Sequence, residues 1–556
     1  STELLFGLGS AAGSIKKIEV SWPGGGITVL NEVSSNQLID IQQPAASAPV
    51  VSAATLPKRF TDITASSGLL FTHKENDFVD FKDEVLLPYQ LSRQGPALAA
   101  ADVNGDGLKD VYLGGAIGQS GSLYLQTNNN TWIAATQQPW MADSSSEQVN
   151  ALFFDADGDG DADLYTVSGG NEYADNAPEY ADHLYLNDGK GNFKKAMDAL
   201  PPMLNSKQAI AVADMDNDGD LDIFIGGKSI PGSFPLAANS YLLRNDSKGG
   251  TVRFTDVTEA LAPMLRKPGM VNVAAWCDLN NDHYPELLIA GDWMPLMLIY
   301  NNKGSFKEIS AAAGLNNTSG MWSAITPADV DGDGDIDFLL GNAGINNQFT
   351  ASVTAPMTMY VADFDDNGSI DPIICYYING RAYPMASRDE LLDQLVPLRK
   401  KFVKYIDYAD ATLENIFSKE QLAKAQQFKC EQLASGILYN QGGGRFSFEA
   451  LPLEAQFSKV NSLLVDDFNN DNVPDIFAAG NFYPYRIQLG RCDASLGQLL
   501  AGTNNRKWVS EDPALTGAYA DGDVRGVVEV KNKQGDRLLI ISKNDGPVQV
   551  LQLNKQ

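Results

Sequence analysis

The chain has 556 residues, of which 70 are acidic and 41 are basic, and its formal net charge is -29. Because a protein that binds nucleic acid needs a basic surface, this charge argues against nucleic acid as a partner. Four scattered cysteines are too few for a disulfide scaffold. No apolar run is long enough to cross a bilayer as a helix, so we expect no transmembrane segment.

Residues 1–43 predict a small β segment of their own. Turns are expected at Phe6–Gly9 and Pro23–Gly26, and strands at Ile18–Trp22, Ile27–Leu30 and Leu38–Ile41. Residues 44–57 are rich in proline and alanine and predict a linker. The chain begins at Ser1 without an initiator methionine, so we expect it to be part of a longer protein.

Residues 58–556 contain seven copies of a nine-residue acidic pattern. Oxygen-bearing side chains occupy positions 1, 3, 5 and 9, and a backbone carbonyl at position 7 is expected to add a ligand. Such convergent oxygens, with glycine at the sharp turn, are typical of a calcium loop. The predicted ligands are Asp102, Asn104, Asp106, Leu108 and Asp110; Asp155, Asp157, Asp159, Asp161 and Asp163; Asp214, Asp216, Asp218, Asp220 and Asp222; Asp278, Asn280, Asp282, Tyr284 and Glu286; Asp329, Asp331, Asp333, Asp335 and Asp337; Asp363, Asp365, Asn367, Ser369 and Asp371; and Asp467, Asn469, Asp471, Val473 and Asp475.

These loops predict up to seven Ca²⁺ ions, bound with unequal affinity. An ordinary turn needs no carboxylate at position 9, yet all seven copies have one. The second, third and fifth loops have four carboxylates each and should bind best, because ligand charge sets calcium affinity. The fourth and seventh loops have His283 and Asn472 in place of the glycine, so these two sites are the weakest. We interpret His283 as a turn residue that faces water.

Around each loop the sequence predicts four short strands. Continuous apolar strands such as Ile223–Gly227 indicate sheets that are covered on both faces. Four-stranded units of this kind, stacked around an axis, form a β-propeller. The last three strands, at 527–530, 538–541 and 548–551, lack a calcium loop. The isolated strand Phe60–Ile63 is expected to complete their blade and to close the ring.

The fold class is therefore all-β: a seven- or eight-bladed propeller with calcium loops, a small helical insertion and a short N-terminal β segment. The blade number stays open because the fifth and sixth loops are only 34 residues apart, which indicates an abbreviated or fused blade. Residues 387–434 predict the helical insertion. Capping boxes begin helices at Ser387 and Ser418, and Pro397 kinks or divides the first helix.

The seven loops, of the form D-x-D-x-D-G-x-x-D, resemble FG-GAP/VCBS repeats over residues 58–556. The N-terminal segment, with Phe6-Gly7-Leu8-Gly9 and Val20-Ser21-Trp22-Pro23, resembles the C-terminal part of an ASPIC/UnbV domain. Together they resemble the CRTAC1-like family, including surface lipoproteins of Bacteroidota. The resemblance implies an extracytoplasmic protein, at the bacterial outer-membrane surface or secreted, that contacts a surface protein, such as a SusC/SusD-type transporter, or a glycan.

Three functional classes remain: a binder, a permanent scaffold and an enzyme. We expect a non-enzymatic binder or scaffold, because calcium loops account for most conspicuous aspartates. The enzymatic alternative is a calcium-containing polysaccharide lyase or hydrolase around His73. The basic cluster Arg399–Lys404 is a solvated helix face or a partner surface. Candidate contact aromatics are Trp140, Tyr173, Tyr180, Trp293, Tyr483 and Tyr485.

Overall fold

The computed structural model describes residues 6, 13–22, 27–42, 58–503 and 506–555. They form two compact units, one within residues 1–58 and one within residues 59–556. In the first unit, strands Ser14–Ser21 and Ile27–Ser34 pair antiparallel, as predicted. The predicted third strand at Leu38–Ile41 is wrong: these residues lie in no strand, and the Leu38 side chain is 84% exposed. Three predicted features lie outside the described residues: the turn at Phe6–Gly9 except for Phe6, the turn at 23–26, and the linker at 44–57.

The second unit contains eight antiparallel sheets, and seven of them form a ring. The first strand of each of these seven sheets contacts the first strand of the next, and the seventh contacts the first. Their strands, in blade order, are Leu98–Ala101, Asp110–Leu113, Ser122–Gln126 and Trp132–Ala134; Glu147–Phe154, Asp163–Gly169, His183–Asn187 and Phe193–Lys195; Lys207–Ala213, Asp222–Gly227, Tyr241–Asn245 and Phe254–Asp256; Met270–Cys277, Glu286–Met294, Met297–Asn302 and Ser305–Glu308, with Gly320–Met321 beside the second strand; Ala324–Ala328, Asp337–Gly341, Gly436–Asn440 and Phe446–Ala450; Val460–Asp466, Asp475–Gly480, Gln498–Thr503 and Lys507–Glu511; and Val524–Lys531, Arg537–Lys543, Gln549–Leu553 and Phe60–Asp62.

The second strand of each blade is buried on both faces, which explains its continuous apolar sequence. In the third blade, Ile223 and Ile225 pack in the core shared with the second blade, whereas Phe224 packs in the core shared with the fourth. Successive side chains of a strand point to opposite faces, so each blade supplies half of two inter-blade cores. Burial of both faces therefore requires a neighbour on each side.

The eighth sheet is an insertion in the fifth blade and lies outside the ring. The chain leaves that blade after its second strand and returns at its third. Between them, Met357–Ala362, Asp371–Ile378, Arg381–Pro384 and Gln426–Cys430 form the inserted sheet, which contains the sixth acidic loop. This route explains why the fifth and sixth loops lie so close in sequence.

The helical part of the insertion follows its predicted signals up to residue 424. Ser387 Oγ accepts the N–H of Glu390, and the Glu390 carboxylate accepts the N–H of Ser387. The first helix ends at Gln394, and Pro397 lies in a separate 3₁₀ turn. The prediction of helix up to Ala434 is wrong, because Gln426–Cys430 completes the inserted sheet by pairing with Met357–Ala362.

All described helices are short, and none is long and apolar enough to cross a membrane. The α-helices are Thr64–Ser67, Thr258–Leu261, Arg388–Gln394, Tyr405–Ala409, Leu413–Ile416, Lys419–Lys424 and Pro513–Thr516. The 3₁₀ helices are Asp80–Lys82, Pro139–Asp143, Pro178–Tyr180, Pro263–Leu265, Val396–Lys400, Leu453–Gln456 and Ile487–Leu489.

The predicted ring closure is confirmed, because the strand Phe60–Asp62 pairs antiparallel with the strand Gln549–Leu553. Phe60 lies opposite Leu553 in this pair. Phe60 is 1% exposed and packs against Phe468 and Phe477 of the sixth blade, with ring centroids 5.9 and 6.3 Å away. The N-terminal strand thus joins both the seventh blade and the core between the sixth and seventh blades.

We predict that Phe60→Ala lowers the free energy of unfolding by about 3–5 kcal/mol, because it leaves a cavity in a core that closes the ring. Urea denaturation in calcium-containing buffer, followed by tryptophan fluorescence, measures the change. Thr61→Ala, on the same strand but with an exposed side chain, is the matched control. Equal stability of the two variants would contradict the role of Phe60 in closure.

Candidate metal sites

The seven acidic loops all connect the first and second strands of a sheet. Six of them lie at one end of the propeller ring, and the sixth in sequence belongs to the inserted sheet. In every sheet that has a loop, the residue at position 9 is the first residue of the second strand. The loop and the hairpin therefore share one residue, which fixes where the turn ends and the strand begins.

Within a loop, side-chain oxygens hold the backbone in a tight turn. In the third loop, Asp214 Oδ1 accepts the N–H of Asp218 at 3.1 Å, and its Oδ2 accepts the N–H of Gly219 at 3.0 Å. Asp218 Oδ1 in turn accepts the N–H of Asp220 at 3.0 Å. The position-7 residue of every loop donates its N–H to position 5 in this way.

Two positions of each loop, not one, adopt left-handed backbone conformation. Position 6 has positive φ in all seven loops, including His283 at 68° and Asn472 at 63°. Both residues thus replace glycine in the predicted turn, and His283 is exposed. Position 4 also has positive φ throughout, for example 60° at Asn217. The sequence signal for position 4 is its restriction to Gly, Asn and Asp, the residue types that tolerate this region best.

Four loops bring three carboxylates close enough to share one cation. In each group, one oxygen from each carboxylate lies within 4.8 Å of the others. Buried carboxylate oxygens without a hydrogen-bond donor, such as Asp216 Oδ1 and Asp365 Oδ1, belong to these groups. Such oxygens are costly to bury unless a cation or donor meets them, so the residues present fit a calcium ion. The groups are Asp155, Asp157 and Asp163; Asp214, Asp216 and Asp218; Asp329, Asp331 and Asp333; and Asp363, Asp365 and Asp371.

The remaining three loops have asparagine at position 3, and two of these asparagines donate to the position-9 carboxylate. Asn280 Nδ2 lies 3.1 Å from Glu286 Oε1, and Asn469 Nδ2 lies 3.3 Å from Asp475 Oδ1. An amide that donates to a would-be ligand reduces the need for a cation. These are the two loops that also lack glycine, and they stay the sites that we predict to be weakest.

The fifth loop has a cationic neighbour that the sequence does not reveal. Arg506, from the sixth blade, places a guanidinium nitrogen 2.8 Å from Asp331 Oδ2 and 3.6 Å from Asp333 Oδ2. This guanidinium competes with a calcium ion for the same two carboxylates. For the fifth loop to be among the strongest sites, as predicted, calcium has to displace Arg506 from these two carboxylates.

The position-9 carboxylate joins the loop to the third strand of its blade. Asp222 Oδ2 accepts the N–H of Met215 at 3.0 Å, and its Oδ1 accepts the N–H of Asn245 at 2.8 Å. Burial, together with the nearby carboxylates of Asp216 and Asp218, raises the pKa of Asp222 to about 7. Burial likewise raises the pKa of the position-9 residue of the first, second and fourth loops to about 7, and that of the fifth and seventh to about 6.

Asparagines at the ends of third strands connect neighbouring blades, a role that the sequence analysis missed. Asn187 Nδ2 donates to Val103 O in the loop of the preceding blade, and Asn245 Nδ2 donates to Ala156 O in the same way. Asn301 Nδ2 repeats the contact with Met215 O. The signal in the sequence is an asparagine that follows the apolar third strand in several repeats.

Half of the six predicted contact aromatics lie in the interior, and the other three are partly exposed. Trp140, Tyr180 and Trp293 are buried, so they pack rather than face a partner. Tyr485 is partly exposed and lines a cavity of about 290 Å³. His73 is also buried, its Nδ1 accepts the N–H of Asp545, and burial lowers its pKa to about 3. His73 does not line the cavity that includes Tyr485.

Comparison with known families confirms the resemblance seen in the sequence. A model described as "FG-GAP-like repeat" matches residues 102–166, 169–225 and 278–340, and a model described as "ASPIC and UnbV" matches residues 1–48. A search of the curated proteins finds no match. The chain thus contains FG-GAP-like repeats after an ASPIC/UnbV region.

Solved structures that match this chain include three of low sequence identity. The V. cholerae biofilm matrix protein Bap1 is 12% identical, with 88% of this chain and 91% of that chain covered and a TM-score of 0.34. Saccharomyces cerevisiae Sqt1 is 12% identical, with 84% and 99% covered and a TM-score of 0.40. The Dos1 propeller is 11% identical, with 88% and 97% covered and a TM-score of 0.34. The ring of seven blades is shown by the strand pairing within this structure and not by these similarities.

We predict that Asp216→Ala reduces the stabilisation that calcium gives the protein, because it removes an oxygen directed into the third loop. If calcium is present at 100 times the dissociation constant of this site, the loss is about 2.7 kcal/mol. Asp220→Ala, at position 7 of the same loop, is the control, since only its backbone is a predicted ligand. Thermal unfolding in calcium and in EDTA measures the difference. Equal calcium-dependent shifts in both variants would contradict a site at this loop.

Proposed function

We propose that the protein is a non-enzymatic, calcium-stabilised propeller that acts outside the cytoplasm, at a bacterial outer-membrane surface or in secreted form, and binds a protein there. The calcium loops support the location, because external calcium is abundant enough to fill sites of modest affinity. All seven loops are proposed calcium sites, with positions 1, 3, 5 and 9 as side-chain ligands and position 7 as a carbonyl ligand. The calcium ions hold the first hairpins in place.

The observation that carries the binding role is an exposed apolar patch at the end of the ring opposite the calcium loops. The patch consists of Ile345, Leu453, Phe457 and Ile487, all with exposed side chains, and Ile487 is 93% exposed. It lies on segments that follow the second strands of the fifth and sixth blades, and on the connection between these blades. Contiguous exposed apolar side chains of this kind mark contact surfaces for proteins.

Hydrogen bonds hold the segments of the patch together. Ile345 N donates to Gln456 O at 3.1 Å, and Asn346 Nδ2 donates to Phe457 O at 3.1 Å. Gln348 Nε2 lies 3.3 Å from Gln488 O. The cavity of about 290 Å³ that includes Tyr485 lies between these segments. A partner would therefore meet a preformed surface with a concave centre, which lowers the entropic cost of binding.

The partner that the family resemblance implies is a SusC/SusD-type transporter, with this protein as an accessory subunit of the transport complex. A native pull-down from solubilised membranes, in calcium and in EDTA, with partners identified by mass spectrometry, tests the proposal. We expect a transporter or another surface protein to be recovered in calcium, and less of it in EDTA, because empty loops loosen the hairpins. Recovery of the protein alone in both conditions would contradict the proposal.

We predict that Ile487→Asp lowers recovery of the partner about tenfold or more, since burial of one isoleucine side chain contributes roughly 1.5–3 kcal/mol. Met197→Asp is the matched control, because Met197 is also strongly exposed and lies outside the patch. Both variants should keep the native melting temperature. Equal recovery with the two variants would exclude the patch as the contact surface.

A further inference from the structure

A second cavity, of about 350 Å³, lies where the first strands of the seven blades converge. Four of its polar side chains come from β-bulges in these strands. The strand register shifts at Gln208, Asn272, Asn461 and Arg525, so each is an extra residue without a ladder partner. A bulge re-aims a side chain, and here all four side chains line the cavity. The four bulges together give the centre of the ring a polar lining.

The cavity has more cationic than anionic groups. Lys228, Lys459, Arg93 and Arg525 line it, with Asp292 as its one carboxylate. Asp292 already has two partners, because it accepts hydrogen bonds from Lys228 Nζ and from the Tyr89 hydroxyl, each at 2.5 Å. The lining therefore has an excess of positive charge that favours an anion.

Arg525 and Lys459 differ in whether a carboxylate pairs with the positive charge. Arg525 pairs with Asp523 at 2.9 Å. Within the described part of the chain, the ammonium of Lys459 has no carboxylate within ion-pair distance and no hydrogen-bond acceptor. Lys459 Nζ lies over the face of the Phe482 ring, 4.4 Å from the ring centroid. Lys459 is thus a cation that faces the cavity without an anionic partner.

Neutral groups around the cavity also have unused hydrogen-bonding capacity. Gln94 Oε1 and Gln208 Oε1 are buried and have no described donor. Buried polar atoms of this kind are normally paired, so a ligand or water must meet them. Amides and hydroxyls with a few charged groups are suited to a polyhydroxylated molecule.

We propose that this cavity binds an acidic saccharide of about one sugar unit, with the carboxylate at Lys459 and the hydroxyls at the unpaired amide oxygens of Gln94 and Gln208. The inference deepens the proposed function, since it adds a ligand class to a binding protein. The cavity lies at the small end of the usual range for ligand sites, about 300–1,000 Å³, which fits a monosaccharide rather than a chain.

Isothermal titration calorimetry of the full chain in calcium, with D-glucuronate and D-glucose as probes, tests the proposal. We expect glucuronate to bind on the order of tenfold more tightly than glucose, because a hydrogen bond to a charged group is stronger than one between neutral groups. Lys459→Met should remove that preference. Lys531→Met, an exposed lysine outside the cavity, should keep it.

The pH dependence of the native chain provides a second measurement that needs no variant. Burial, with smaller contributions from the positive charges of Lys228 and Arg525, lowers the pKa of Lys459 to about 8, and the carboxylates of Asp292 and Asp523 oppose this shift. Affinity for glucuronate should therefore fall as the pH rises from 7 to 9, while affinity for glucose stays constant.

Three results would overturn the proposal: no glucuronate binding, equal binding of both sugars, or unchanged binding by Lys459→Met. If partner recovery in the pull-down persists with any of them, only the ligand site fails and the proposed protein contact stands. If partner recovery is lost while glucuronate still binds the native chain, the saccharide site stands and the protein contact fails.

Discussion

Seven buried carboxylates, one at the start of the second strand in each sheet that has a calcium loop, connect the main parts of this fold. Asp222 shows the pattern, since it accepts N–H groups from its loop and from the third strand of its blade. Burial of an ionised carboxylate is costly without a compensating charge. The same residue thus fixes the hairpin, and the calcium ion proposed for the loop would offset the cost of burying its charge.

Asparagines of the third strands connect the loops of the first four blades. Asn245 donates to Ala156 O and to Leu221 O, so it contacts the loop of the preceding blade and its own loop. Loops of neighbouring blades therefore share a hydrogen-bonded residue, and a loop that loosens also loses its support for the next. The buried second strands add a second link, because each is sandwiched between two neighbouring blades.

The sequence predicted what is local and repeated. Nine adjacent residues contain nearly all the groups that shape a calcium loop, and the orphan strand at Phe60 has the same sequence pattern as the fourth strand at Phe254. It did not predict the extent of the insertion, because strand spacing alone does not show which partner a strand takes. Arg506 was missed for the same reason: it meets Asp331 only after two blades are packed side by side. At Leu38–Ile41, alternation alone favoured a strand that no described neighbour pairs with.

The two ends and the centre of the ring have different chemistry because they are built from different parts of each strand pair. The first strands of six blades end in acidic loops, so one end of the ring is rich in carboxylates. Near their other ends, β-bulges direct Gln208, Asn272 and Asn461 towards the axis, where Lys459 adds an unpaired positive charge. A strand without bulges would place apolar or small side chains at the axis, because both of its faces pack against neighbouring blades. The bulges therefore supply the polar side chains of the proposed anion site, whereas the proposed cation sites lie at the loop end of the ring.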